Sequence, residues 1–254
     1  MNLQLSSASL VTLLLASVRI TTWLMIAPPF ATAGLPRKIR FMLAAVLALS
    51  VTATAQQHAP AAEMGPMVAS AAEQLVIGGA LGFVTRILFS AIEAAGALVD
   101  LFGGFSMAFA YDPLSATNTS IFGKFYGLLT TVLIFATNAH LVIVAGFLRT
   151  FSTMPLDGQI NMSHLGSALL HGLSAMFVAT LQIAAPMIAV FFIADLALGL
   201  LSRISPQLNV FSVSFPLKIM LSLGLVGLTF ALLPRVVIEM AGSTAALVTR
   251  LGGG

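Results

Sequence analysis

From Phe125 to Leu148 the chain carries no Asp, Glu, Lys or Arg, and the run from Gly158 to Ala194 is longer and equally free of them. A helix needs about 20 mostly apolar residues at 1.5 Å each to cross roughly 30 Å of hydrocarbon, so each run is long enough to span a bilayer. Over all 254 residues, 59% are hydrophobic and 7% charged, where a soluble domain carries about 25% charged residues. A soluble fold of this size needs a polar shell that such a chain cannot supply. The expected fold class is therefore all-α: a polytopic helical membrane protein with about six hydrophobic segments, organised as one compact unit.

The segments run from about Leu10 to Ala33, Phe41 to Ala55, Gln74 to Val99, Phe125 to Leu148, within Gly158 to Ala194, and Ile219 to Leu233; the second and sixth are short for full spans. Pro, Gly and polar clusters mark the loops at Gly34–Arg40, Gln56–Ala72, Asp100–Lys124, Arg149–His164 and Arg203–Lys218. Alternate loops place Arg37, Lys38, Arg40, Lys124, Arg203 and Lys218 on one side and Arg149, Arg235 and Arg250 on the other. The positive-inside rule assigns the first group to the cytoplasm and both termini to the opposite side. The net charge of +3 is thus read as topology, and with no basic patch interleaved with aromatics, nucleic acid is not an expected partner. Cysteine is absent, which excludes disulfides and thiolate chemistry. No Lys or Arg precedes the first apolar stretch, so that stretch is read as a retained membrane segment, not a signal peptide.

Arg19, Arg86 and Glu93 lie inside apolar segments, where charge is turned toward protein or water. Arg86 and Glu93 share a helix face about 10.5 Å apart, too far for direct pairing; an ion relay and interhelical or intersubunit pairing are both open, and pairing is favoured. Gly78 and Gly82, with Gly79 between, and Gly123 and Gly127 have the small-residue spacing that lets membrane helices approach closely. His164 and His171 are two turns apart, too far to chelate one metal, and no metal or other cofactor is expected. The strings around Ser106 and Ser174 lack the following glycine of an intramembrane serine site. One loop stands out: Gly103, Gly104, Phe105, Met107, Phe109, Tyr111, Asp112 and Pro113 combine glycines, aromatics and a methionine between apparent membrane segments. An apolar loop at that position is buried in protein or lines a cavity, which makes it a candidate plug or constriction.

The stretch Leu198-Gly199-Leu200-Leu201-Ser202-Arg203-Ile204-Ser205-Pro206-Gln207-Leu208-Asn209-Val210-Phe211, followed by Phe215-Pro216-Leu217-Lys218, closely resembles the FliR/SctT family of type III export gate subunits. Supporting residues run in order along the chain: Arg19, Pro29, Pro36, Glu73, Gly78, Gly82, then Ala95-Gly96, Gly104 to Ala108, Asp112-Pro113, Asn138-Ala139-His140, Phe151 and Pro155. The sequence departs from the family pattern at Ala31, Ala97 and Thr150.

The resemblance implies a non-enzymatic, pore-forming subunit that joins FliP and FliQ in the flagellar export gate of the bacterial inner membrane and passes unfolded flagellar proteins. It implies a FliP-like part over 1–157 and a FliQ-like hairpin over 158–254, with tilted helices partly raised from the bilayer plane. It makes Gly103 to Pro113 the pore plug, and the loop with Arg203, Pro206, Gln207, Asn209 and Lys218 the meeting point with an FlhB-like switch protein. Arg19, Arg86 and Glu93 become assembly contacts. The alternatives are the equivalent injectisome subunit, a stand-alone secondary transporter using Arg86 and Glu93, and an intramembrane serine protease.

Overall fold

The structure is a computed structural model, and it describes residues 7–32, 34–56, 60, 63–105, 120–157, 162–207 and 209–250. Among these the regular elements are helices: α1 (Ser7–Ile26), α2 (Arg37–Ala55), α3 (Met64–Phe102), α4 (Ile121–Ala136), α5 (Ala139–Thr153), α6 (Met162–Ile204) and α7 (Val210–Arg250). The all-α expectation holds. Five helices are long and apolar enough to cross a membrane, at Ala8–Ile26, Arg37–Ala55, Met64–Phe102, Leu165–Ile204 and Thr229–Thr249, and α4 with α5 makes a sixth, interrupted candidate.

The helix ends follow from local chemistry. Past α1 come Pro28 and Pro29, which lack N–H groups to continue the ladder; the peptide bond between them is cis. Pro36 precedes α2, where a fixed φ suits a helix start. The Ser120 side chain accepts from the Gly123 N–H at 2.8 Å and caps α4.

The predicted span Phe125–Leu148 is divided, because Asn138 adopts the left-handed conformation at φ 57°, which the helical ladder cannot accommodate. Conversely, the segments read as short are parts of longer helices. Helix α2 takes in Arg37 to Arg40, and α7 continues through Pro216 and Pro234 for 41 residues. Helices α3, α6 and α7, of 39, 43 and 41 residues, have contour lengths of about 58–65 Å, twice what a straight crossing needs.

The helices gather into two compact units, not the single one expected from the sequence. The first comprises Met1–Leu88, Asn138–Ser174 and Ile238–Gly254; the second comprises Phe89–Thr137 and Ala175–Val237. In the first, α1 packs against α2 and buries Leu15, Arg19, Ile20, Trp23 and Leu24 completely. Trp23 stacks on Phe147 of α5 at 4.2 Å and 13°. Glycines let backbones meet here: a Cβ on Gly78 would collide with the Arg19 carbonyl, and one on Gly82 would lie 2.9 Å from Ile26 Cβ. In the second unit, a Cβ on Gly96 would lie 2.5 Å from the Phe122 carbonyl oxygen. Tyr126 shares a 2.7 Å hydrogen bond with Thr229, and Phe125 meets Phe230 edge to face at 5.5 Å.

Candidate assembly site

Arg19 is fully buried in the first unit, and its neighbours satisfy it without a carboxylate. Its Nε donates to Gln74 Oε1 at 2.5 Å, and Nη1 and Nη2 donate to the Met154 carbonyl at 2.9 and 3.0 Å. The guanidinium lies 4.4 Å from the Phe151 ring centroid, a cation–π contact strengthened by burial. Met154 is the C-cap of α5, so the cation neutralises the negative end of that helix and occupies a carbonyl that has no intrahelical partner. Gln74 Nε2 donates in turn to the Leu156 carbonyl at 3.3 Å. Three segments of chain are thereby pinned to one side chain.

Arg86 and Glu93 are placed differently. Both are exposed on α3, Arg86 in the first unit and Glu93 in the second. Among the described residues neither forms an ion pair, unlike Lys218, which pairs with Asp195 at 2.7 Å. Glu93 borders an open recess of about 420 Å³ lined by Ser90, Ala94, Ala97, Ser120, Gly123, Lys124 and Met176. Glu93 also passes Gly127, where a Cβ would make only ordinary contact with it, 3.8 Å from Oε2.

A second buried charge lies where the sequence reading expected a loop. Asp100 is in the last turn of α3 and 3% exposed. Its Oδ2 accepts from the Ser120 hydroxyl and, at 3.0 Å, from the Phe122 N–H. The carboxylate thus caps the start of α4 in the electrostatically favourable sense. Phe105 packs edge to face on Phe122 at 5.1 Å. Gly103 N–H donates to the Val99 carbonyl at 2.8 Å, and Gly104 turns the chain out of α3 at φ 82°, as helix C-termini commonly do. Gly103, Gly104 and Phe105 of the candidate plug are therefore located, while Met107, Phe109, Tyr111, Asp112 and Pro113 lie outside the described residues.

Near the other motif, Arg203, Pro206, Gln207 and Asn209 are exposed at the turn between α6 and α7. Asn209 Oδ1 accepts from the Ser212 N–H at 3.4 Å. Phe211 and Pro216 fall in the first two turns of α7. Pro29 is buried after α1, Pro36 is exposed at the start of α2, and Glu73 is half-buried on α3.

Residues 10–243 match the family described as bacterial export proteins, family 1. The chain belongs to that family. Relatives of this family 1 export protein include "Flagellar biosynthetic protein FliR" of Escherichia coli (strain K12), 29% identical over 219 residues, covering 86% of this chain and 83% of the relative. The proteins of that name from Bacillus subtilis (strain 168) and Aquifex aeolicus (strain VF5) are each 29% identical, over 213 and 238 residues. The first pairing covers 82% of both chains, and the second 93% of this chain and 90% of the relative. Within this export protein, sequence reasoning singled out Arg19 but missed its partner Gln74, and it placed Asp100 and Ser120 in a loop. A buried Gln, Ser or Asp near a helix end is the signal that pointed to neither partnership, because the partners are 55 and 20 residues away.

Proposed function

We propose that this chain is a structural, pore-forming subunit of a bacterial flagellar type III export gate, assembling with FliP- and FliQ-like subunits in the cytoplasmic membrane to pass unfolded flagellar proteins. The observation that carries this reading is the exposure of Arg86 and Glu93 on the apolar helix α3. A charge presented to lipid near the bilayer centre costs about 2.5–3.5 kcal/mol on insertion scales. Contact with a neighbouring subunit removes that cost; a stand-alone transporter would turn such groups into its own interior. Membership of an export family and relatives named for flagellar biosynthesis support the same reading.

In this gate the chain has no catalytic role. Residues 1–157 play the FliP-like part and 158–254 the FliQ-like hairpin, with both termini periplasmic. The stretch from Gly103 to Pro113 is the plug of the closed pore, and the exposed Arg203, Pro206, Gln207 and Asn209 meet an FlhB-like switch protein.

The test is co-purification from membranes in which the tagged chain is produced with FliP and FliQ. The expected result is one complex containing all three, with yield falling severalfold for Glu93→Ala and for Arg86→Ala. A chain that purifies alone, stable and binding a small solute, would overturn the proposal in favour of a transporter.

A further inference from the structure

The first turn of α2 gathers Arg37, Lys38 and Arg40 within four residues, and the sequence holds no Asp or Glu before Glu63. Among the described residues none of the three lies within ion-pair distance of a carboxylate. No side chain caps this helix start, so the positive end of the helix dipole adds to the three cations.

Arg40 supplies an independent observation. It is 8% exposed, and its guanidinium reaches back over the helix start, as long helical side chains do. There Nη2 donates to the Thr32 carbonyl at 2.5 Å. The Nε–H is buried with no acceptor among the described residues. Its Nη1 lies 3.8 Å from Met25 Sδ, and no carboxylate among the described residues pairs with the charge held beneath the turn. Immediately after the cations, α2 exposes Phe41, Met42, Val46 and Leu49, an apolar strip running along the helix away from the charged turn.

A cationic turn followed by an exposed apolar strip matches a molecule with an anionic head and hydrocarbon tails. We infer that the first turn of α2 binds the phosphate of an anionic phospholipid, with the acyl chains along Phe41, Met42, Val46 and Leu49. Arg37 and Lys38, both exposed, pair with the phosphate, and Arg40 reinforces it from below. The positive-inside rule accounts for the side of the membrane on which these residues sit; the lipid site accounts for their concentration in one uncapped turn.

The test equilibrates the full chain in detergent with equal amounts of phosphatidylglycerol and phosphatidylcholine and measures retained lipid by native mass spectrometry. The expected result is preferential retention of phosphatidylglycerol. The double variant Arg37→Gln with Lys38→Gln should lower it by about fivefold per charge removed, while Arg149→Gln with Arg235→Gln, which removes as much charge elsewhere, should leave it intact. Absence of any preference, or equal loss in both double variants, would overturn the site. Millimolar inorganic phosphate abolishing the preference would reassign it to free phosphate. Loss of the lipid when FliP and FliQ are bound would reassign the strip to a subunit contact. Retained α-helical circular dichroism in each variant shows that the comparison is between folded proteins.

Discussion

At the scale of single residues, the charges in apolar helices divide into two kinds. Arg19 is enclosed by Gln74, Met154 and Phe151 of its own unit, whereas Glu93 is exposed beside a recess. Replacing Arg19 by Ala strands a buried amide oxygen and a helix-terminal carbonyl, an expected loss of about 2–4 kcal/mol. It should appear as a lowered thermal midpoint of the isolated chain in detergent. Arg19→Lys keeps the charge without the planar fork and should fall between. Glu93→Ala should leave that midpoint unchanged and act on complex yield alone; a matching drop in midpoint would mean that Glu93 serves its own unit. Glycines divide similarly. A Cβ on Gly146 would lie 2.6 Å from Ala245 Cβ, while one on Gly224 meets nothing within 4 Å. Gly146→Ala should therefore destabilise by about 1–3 kcal/mol, and Gly224→Ala should be neutral or stabilising by up to about 1 kcal/mol. Thermal midpoints that move together would refute the distinction.

At the scale of elements, Asn138 decides where a helix stops. Left-handed backbone costs most L-residues about 1–2 kcal/mol, and Asn and Gly tolerate it best. Asn138→Gly should keep the thermal midpoint, and Asn138→Val should lower it by an amount equivalent to that strain; the reverse order would place the break elsewhere. This break also shows what the sequence could tell. Hydropathy located most of the apolar regions, since burial in lipid or protein depends on composition summed over a window, but its sixth segment ends at Leu233 and misses most of Thr229–Thr249. It could not see Asn138, because one residue's backbone conformation leaves a mean hydropathy unchanged. The spacing of Gly78 and Gly82 announced close packing, and α1 is indeed where their backbones meet a neighbour. That Arg19 would be enclosed and Arg86 exposed was illegible, since both read as one cation in an apolar run. What separates them is a glutamine and a helix end brought from distant parts of the chain. Asp100 falls in a loop on the sequence reading because Gly103, Gly104 and Pro113 cluster after it; its role as a cap depends on Ser120 and Phe122 standing opposite.

At the scale of the whole molecule, the exposed apolar surface is extensive on α6, including Phe177, Leu181, Phe192, Ile193 and Leu200, far more than a water-soluble monomer presents. In the proposed gate, deleting residues 105 to 111 should leave assembly with FliP and FliQ intact and make the membrane leaky to small ions. An assembled gate of unaltered conductance would remove the plug from that stretch. The contact of Asp100 with Ser120 and Phe122 bears on why such a deletion should be tolerated. With the end of α3 fastened to the start of α4, the two helices hold their register whatever lies between them. The fastening is made by Asp100, Ser120 and Phe122 alone, so a deletion between Phe105 and Ser120 should leave it, and the thermal midpoint that depends on it, in place.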